Sequence, residues 1–147
     1  MNVEHGRRSR TSRPDLDGPV RNAGTMSKKR GVGLPGAATY GPYTPGVSAN
    51  GVLWLSGQIA PEAGGVAEQV AASLAKIDAL LHAAGCSKHD VTFAQVLLAD
   101  IQDFATMNEA YAAWLDGVDV KPARAAFQAA ALPAGAAVEI VVQAALP

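Results

Sequence analysis

From Pro122 to Leu146 the chain carries only two charged side chains, Arg124 and Glu139. The rest of the run is small or apolar, broken by the turn residues Leu132-Pro133-Ala134-Gly135. The run reads as two buried strands, residues 124–129 and 138–144, and this constrains the fold more than any other feature. Upstream, Val66, Val70, Leu74, Ile77 and Leu81 recur at steps of four, four, three and four, the stripe of one amphipathic helix, with Gly85 as its stop. Residues 91–99 are strand-like. Asp103 stands where a helix N-cap belongs, and Phe104, Met107, Tyr111 and Trp114 or Leu115 mark a second helix closed at Gly117. Residues 52–56 form a short inner strand that stops at Gly57. Before it, the Gly- and Pro-dense residues 31–51 read as an irregular lead-in with room for one short strand. The order strand, helix, strand, helix, strand, strand predicts an α+β mixed sheet covered on one face by two helices. Because the strands are apolar on both faces, the uncovered face predicts a homo-oligomer.

The formal charge of −1 conceals an asymmetry. Residues 1–30 hold eight Lys/Arg against three Asp/Glu, and residues 31–147 hold four against ten. The basic stretch lacks apolar periodicity, so residues 1–35 are expected to be a disordered basic N-terminal extension and residues 36–147 the folded domain. A basic arm can bind phosphates, but the acidic body argues against nucleic acid as a partner except through that arm. No apolar run is long enough for a spanning helix, no secretory core precedes the domain, and one cysteine cannot form an internal disulfide, so the expected compartment is the cytoplasm. Cys86 reads as a small packed side chain, and Trp54 and Trp114 as core or interface.

No phosphate loop, paired-His or Cys-x-x-Cys metal spacing, or nucleophile elbow is present. His82 and His89 lie on or just after the first helix and are not candidates. What remains is a set of isolated polar groups in apolar settings: Tyr43, Ser56, Asn108, Arg124 and Glu139. Desolvating a guanidinium is costly unless an anion meets it. Arg124 therefore faces a carboxylate of the protein, a carboxylate of a ligand, or solvent. A salt bridge with Glu139 and a grip on a ligand carboxylate by its planar fork of donors are the two readings to weigh, and the residues alone leave both open.

Pro122-Ala123-Arg124-Ala125-Ala126-Phe127, followed by Leu132 and Val138-Glu139-Ile140, resembles the C-terminal signature of the RidA/YjgF family of reactive-intermediate (imine) deaminases. The segment "YGPYTPGV" at 40–47 is similar to that family's entry segment, "SGQI" at 56–59 to its Ser-Gly-Gln turn, and "DFATMNEAYAAW" at 103–114 to its second helix. The resemblance implies a chorismate-mutase-like subunit assembled as a homotrimer with clefts between subunits. It also implies a cofactor-free hydrolysis of short 2-imino acids, such as 2-iminopropanoate and 2-iminobutanoate, to 2-keto acids and ammonia. Carried over, Arg124 would hold the substrate carboxylate and Glu139 would orient or activate water. Gly57, beside Ser56, would offer a backbone N–H; Tyr43 and Asn108 would line the cleft. Ala126 stands where many members have Cys, a change that imine hydrolysis tolerates because it needs no thiol. The connection from Ile59 to Val66 is several residues shorter than the usual loop of the family it resembles, a loop that helps wall the cleft. Two other readings accompany the resemblance: a non-catalytic trimer binding small carboxylate metabolites, and RNA binding or cleavage.

Overall fold

A computed structural model of the chain describes residues 28–147. The expectation of disorder for residues 1–27 lies outside the described residues. Six strands, β1 (Arg30–Val32), β2 (Gly46–Ala49), β3 (Val52–Leu55), β4 (Val91–Leu98), β5 (Ala123–Gln128) and β6 (Val138–Ala145), join two helices, α1 (Val66–Ala83) and α2 (Phe104–Trp114). They form one sheet in the order β1-β2-β3-β6-β4-β5, antiparallel except for the β4–β5 pair. β3 and β4 both run antiparallel to β6, so β3–α1–β4 and β4–α2–β5 are each crossovers between parallel strands moving the same way across the sheet. Crossovers share one hand, which puts both helices on one face. The expected α+β architecture is therefore the observed one.

The stripe read from the sequence is the inward face of α1: Val70, Leu74, Ile77 and Leu81 are buried, and Val66 packs at its margin. Burying each of the larger ones contributes about 1.5 to 3 kcal/mol. Gly85, at φ 76°, ends the helix. Its N–H donates to His82 O at 3.0 Å and that of Cys86 to Leu81 O at 2.8 Å. Two terminal carbonyls are thereby satisfied. At α2 the capping differs from expectation. Asp103 occupies the N-cap but makes no capping bond. Asp100 accepts from Gln102 N–H at 2.9 Å instead. A 3-10 turn, Ile101–Asp103, runs directly into the helix and moves the free N–H groups one turn earlier.

The lead-in is more regular than its glycines and prolines suggest. β2 and β3 form a hairpin around Asn50, at φ 48°, and Gly51, at φ 78°. This is the two-residue turn whose twist matches paired strands. β1 pairs with β2 through Arg30↔Ser48 and Val32↔Gly46. The sheet therefore begins inside the segment expected to be disordered: pairing to β2 orders Arg30–Val32 although they carry little apolar surface of their own.

The uncovered face is apolar, interrupted by Gln95, Glu139 and Gln143, with Trp54 and Phe127 42% and 43% exposed on it. β5 is not the buried strand expected. It forms the sheet edge, and each of its residues is exposed or half-buried. Pairing on one side only leaves Arg124 open to solvent in the isolated chain. Among the described residues no helix is long and apolar enough to cross a membrane.

Candidate active site

Arg124 pairs in register with Ala94, a buried residue on the helix side, so its side chain lies under α2. There Phe104, Asn108 and Tyr111 are spaced about one turn apart on the same helical face. The guanidinium carbon is 5.6 Å from the Phe104 ring centroid and 5.1 Å from that of Tyr111. Its Nη1 donates to Asn108 Oδ1 at 2.7 Å and lies 3.8 Å from Met107 Sδ. The rings and the amide fix the plane of the fork without neutralising it. Among the described residues Arg124 makes no ion pair. Beside it is an open recess of about 330 Å³, with Asn108, Tyr111, Lys121 and Arg124 in its walls. The Tyr111 hydroxyl is buried without a partner; burial raises its pKa, and Arg124 pulls it partly back. Ala126, two residues along β5, faces the same way and packs half-buried against the core.

Glu139 lies elsewhere. It pairs with Leu97, whose side chain points to the uncovered face, while its neighbours Val138 and Ile140 are buried beneath the helices. After β3 the chain passes alongside β6: Gln58 N–H donates to Ile140 O at 2.9 Å, and Ile140 N–H to Gln58 O at 3.0 Å. This brings Gly57 against the carboxylate. A Cβ at position 57 would stand 2.9 Å from Glu139 Cδ and 3.0 Å from its Cγ, so only glycine leaves the seat intact. The Gly57 N–H has no partner among the described residues. Gly57→Ala is expected to swing the Glu139 carboxylate aside, and because the clash falls on the outer part of a flexible side chain the loss of stability by urea unfolding is expected to stay below about 1 kcal/mol.

The large cleft here, about 700 Å³, brings together Tyr43, Ser56, Gly57 and Glu139, with Lys76 and Leu80 of α1 behind them. Ser56 has a structural role. Its Oγ donates to Thr44 O at 2.7 Å and its N–H to Pro45 O at 2.8 Å, which ties the entry segment to the end of β3. The Tyr43 hydroxyl accepts from Tyr40 N–H at 3.3 Å.

The predicted residues thus divide in two. Tyr43, Ser56, Gly57 and Glu139 share the large cleft, while Asn108 and Arg124 share the small recess with Ala126 beside it. Arg124 and Glu139 sit on strands either side of β4, at the rows of Ala94 and Leu97, and face opposite sides of the sheet. They form no salt bridge, and one chain does not bring them together. Lys76 and Lys121 are additions the sequence did not single out, since a solvent-facing lysine has no spacing signature.

Among the described residues no cluster of three His, Cys, Asp or Glu could hold a metal. Cys86 is buried, its thiol pKa raised first by burial and then by Asp90. Less thiolate exists at a given pH, so alkylation by iodoacetamide at about pH 8 is expected to be slower than for a free thiol and to accelerate on unfolding.

A family model described as Endoribonuclease L-PSP matches residues 35–146. The chain is 41% identical over 110 residues to the 2-iminobutanoate/2-iminopropanoate deaminase of Mus musculus, covering 70% of this chain and 80% of that one. Among solved structures it is similar to RidA from an Antarctic Psychrobacter, with a TM-score of 0.73 at 35% identity, over 80% of this chain and 99% of that chain. It is likewise similar to E. coli TdcF with bound serine, with a TM-score of 0.72 at 33% identity and the same shares, 80% and 99%.

Proposed function

The chain belongs to the Endoribonuclease L-PSP (YjgF/RidA) family, and from that membership we propose that it hydrolyses short 2-imino acids to 2-keto acids and ammonia at a site completed between copies of the chain. The name of the mouse relative supports the reaction class, and the serine bound to TdcF supports a small amino-acid-like ligand. The observation that carries the reading is the state of Arg124: oriented by Asn108 and two rings, paired with no carboxylate among the described residues, and next to a recess.

Guanidinium has five N–H donors, and Arg124 spends Nη1 on Asn108. In this reading the remaining donors take the substrate carboxylate in two parallel bonds. Glu139 faces the other way, so the carboxylate that meets this substrate belongs to a second copy docked by its uncovered sheet face. The proposed assembly is a homotrimer, in which each subunit lends Arg124 to one cleft and Glu139 to another. Glu139 accepts a proton from water as the oxygen bonds to the imine carbon. Glu139 passes that proton to the nitrogen, the hydroxyl proton of the resulting carbinolamine follows by the same route, and the C–N bond breaks, so that ammonia leaves as the keto group forms and Glu139 is again a carboxylate. In this reading the Gly57 N–H, which has no partner among the described residues, donates to the new oxygen. The imine carbon is already electrophilic, so holding acid and water in line supplies much of the barrier reduction, with a general base adding about 10² to 10⁴.

The test is to generate 2-iminopropanoate or 2-iminobutanoate in situ and follow its disappearance. Acceleration by the protein is the expected result. Unchanged decay together with measurable binding of 2-oxobutanoate would favour a carboxylate-binding protein instead.

A further inference from the structure

Two polar side chains on one face of α1 hold the segment that seats Glu139. Gln69, only 6% exposed, donates from Nε2 to Gly64 O at 2.8 Å and accepts from Ala137 N–H at 2.9 Å. Lys76 lies two turns further along the helix. It donates from Nζ to Ile59 O at 2.7 Å and stands 3.3 Å from Glu62 Oε1. Gln69 therefore ties the far end of the Ile59-to-Val66 connection to the residue two before Glu139. Lys76 ties the near end, at the residue that follows Gln58. Immediately before the Lys76 hook runs the strip formed by Gly57 and Gln58, which bridges Ile140 and packs against Glu139.

The connection contains a 3-10 turn, Pro61–Ala63, and then Gly64 at φ 120°, followed by a second glycine. Such a segment does not hold its own start in place. Ile59 is 8% exposed, and its carbonyl has no acceptor role among the described residues except toward Lys76. The Glu62 contact is the weaker half, because its side chain is 67% exposed. An ion pair so open to water contributes little.

We propose that Lys76 is a positioning residue: by holding the Ile59 carbonyl it fixes Gly57 and Gln58 in register against Glu139. Its kinetic consequence rests on the imine-deaminase reading, whereas its structural consequence does not.

Three variants of the full chain test this: Lys76→Met, which keeps the aliphatic stem and removes the donors, Lys76→Arg, and Glu62→Gln. Amide hydrogen exchange is read at Gln58 and Ile140, with Leu74 as the internal reference, alongside steady-state imine hydrolysis. Lys76→Met is expected to speed exchange at Gln58 by about tenfold without changing Leu74. It should also lower kcat by roughly ten- to a hundredfold with KM within about twofold, the mark of lost orientation. Lys76→Arg should restore both, and Glu62→Gln should match the wild type. Unchanged exchange at Gln58 overturns the proposal whatever the kinetics. So does a KM rise at constant kcat, which would mean Lys76 contacts substrate directly, or an unaltered kcat in a variant whose strip has loosened. An inert wild type refutes the deaminase reading, and the exchange measurement still decides whether Lys76 holds the strip.

Discussion

Arg124→Ala is expected to reduce kcat/KM for 2-imino acid hydrolysis by about 10² to 10³ while shifting unfolding stability by less than about 1.5 kcal/mol. The activity figure follows from losing a charge-assisted, two-pronged grip on the substrate carboxylate. The stability figure follows from what Arg124 touches: one amide oxygen, a thioether and two ring faces, on an exposed edge strand. Removing one member of a buried ion pair costs about 3 to 5 kcal/mol because the partner is stranded. Here no carboxylate is stranded, and Asn108 can turn to solvent. Urea unfolding beside the imine assay checks both halves, and a stability loss of the ion-pair size would show that Arg124 is structural. Lys at this position should recover little, since a point charge cannot replace the fork.

The second expected result concerns mixing. Glu139→Gln alone should lower kcat by about 10² to 10⁴, the contribution of a positioned base. Arg124→Ala and Glu139→Gln chains, unfolded together and refolded in equal amounts, should then regain activity that neither has alone. The two groups face opposite sides of one sheet, so a cleft that uses both takes one from each of two neighbours. With random assembly into closed rings, about a quarter of the clefts receive an intact Arg124 and an intact Glu139, and about that share of wild-type turnover is expected. If both groups acted from the same chain, every cleft in the mixture would carry one defect and no activity would return.

Helical periodicity made α1 legible in detail, down to its stop at Gly85, because one buried stripe and one left-handed glycine specify a helix end almost completely. The paired helices over one sheet face were legible for the same reason. β5 was misread as buried. Its composition is that of a core strand, but position in the sheet, which sequence does not encode locally, made it an edge; its apolar side chains suit an assembly rather than a monomer. The hairpin was available in the sequence, since Asn50-Gly51 between short apolar runs is a strong turn signal, and the surrounding prolines and glycines masked it. Arg124 and Glu139 stood out by charge contrast. Their separation onto opposite faces could not be read, because it depends on pairing registers across β4. Lys76 and Gln69 could not be read either: their partners are backbone atoms, which leave no trace in residue identity.

The Asn50-Gly51 turn fixes more than a bend. Side chains alternate along β3, so Leu53 and Leu55 look inward and Trp54 looks outward, while its pairing to β6 and the Gln58–Ile140 bridge bring Gly57 to Glu139. What the turn sets is the register of β2 on β3, from Ala49↔Val52 to Gly46↔Leu55, and with it where Thr44 and Pro45 meet Ser56. Lengthening or shortening the turn by one residue would slide β2 along β3 and carry the entry segment, Tyr43 included, away from the strand end it is tied to. A two-residue loop some distance from the cleft is thus the ruler for one of its walls, and insertions there should be tolerated far less than its exposed position suggests.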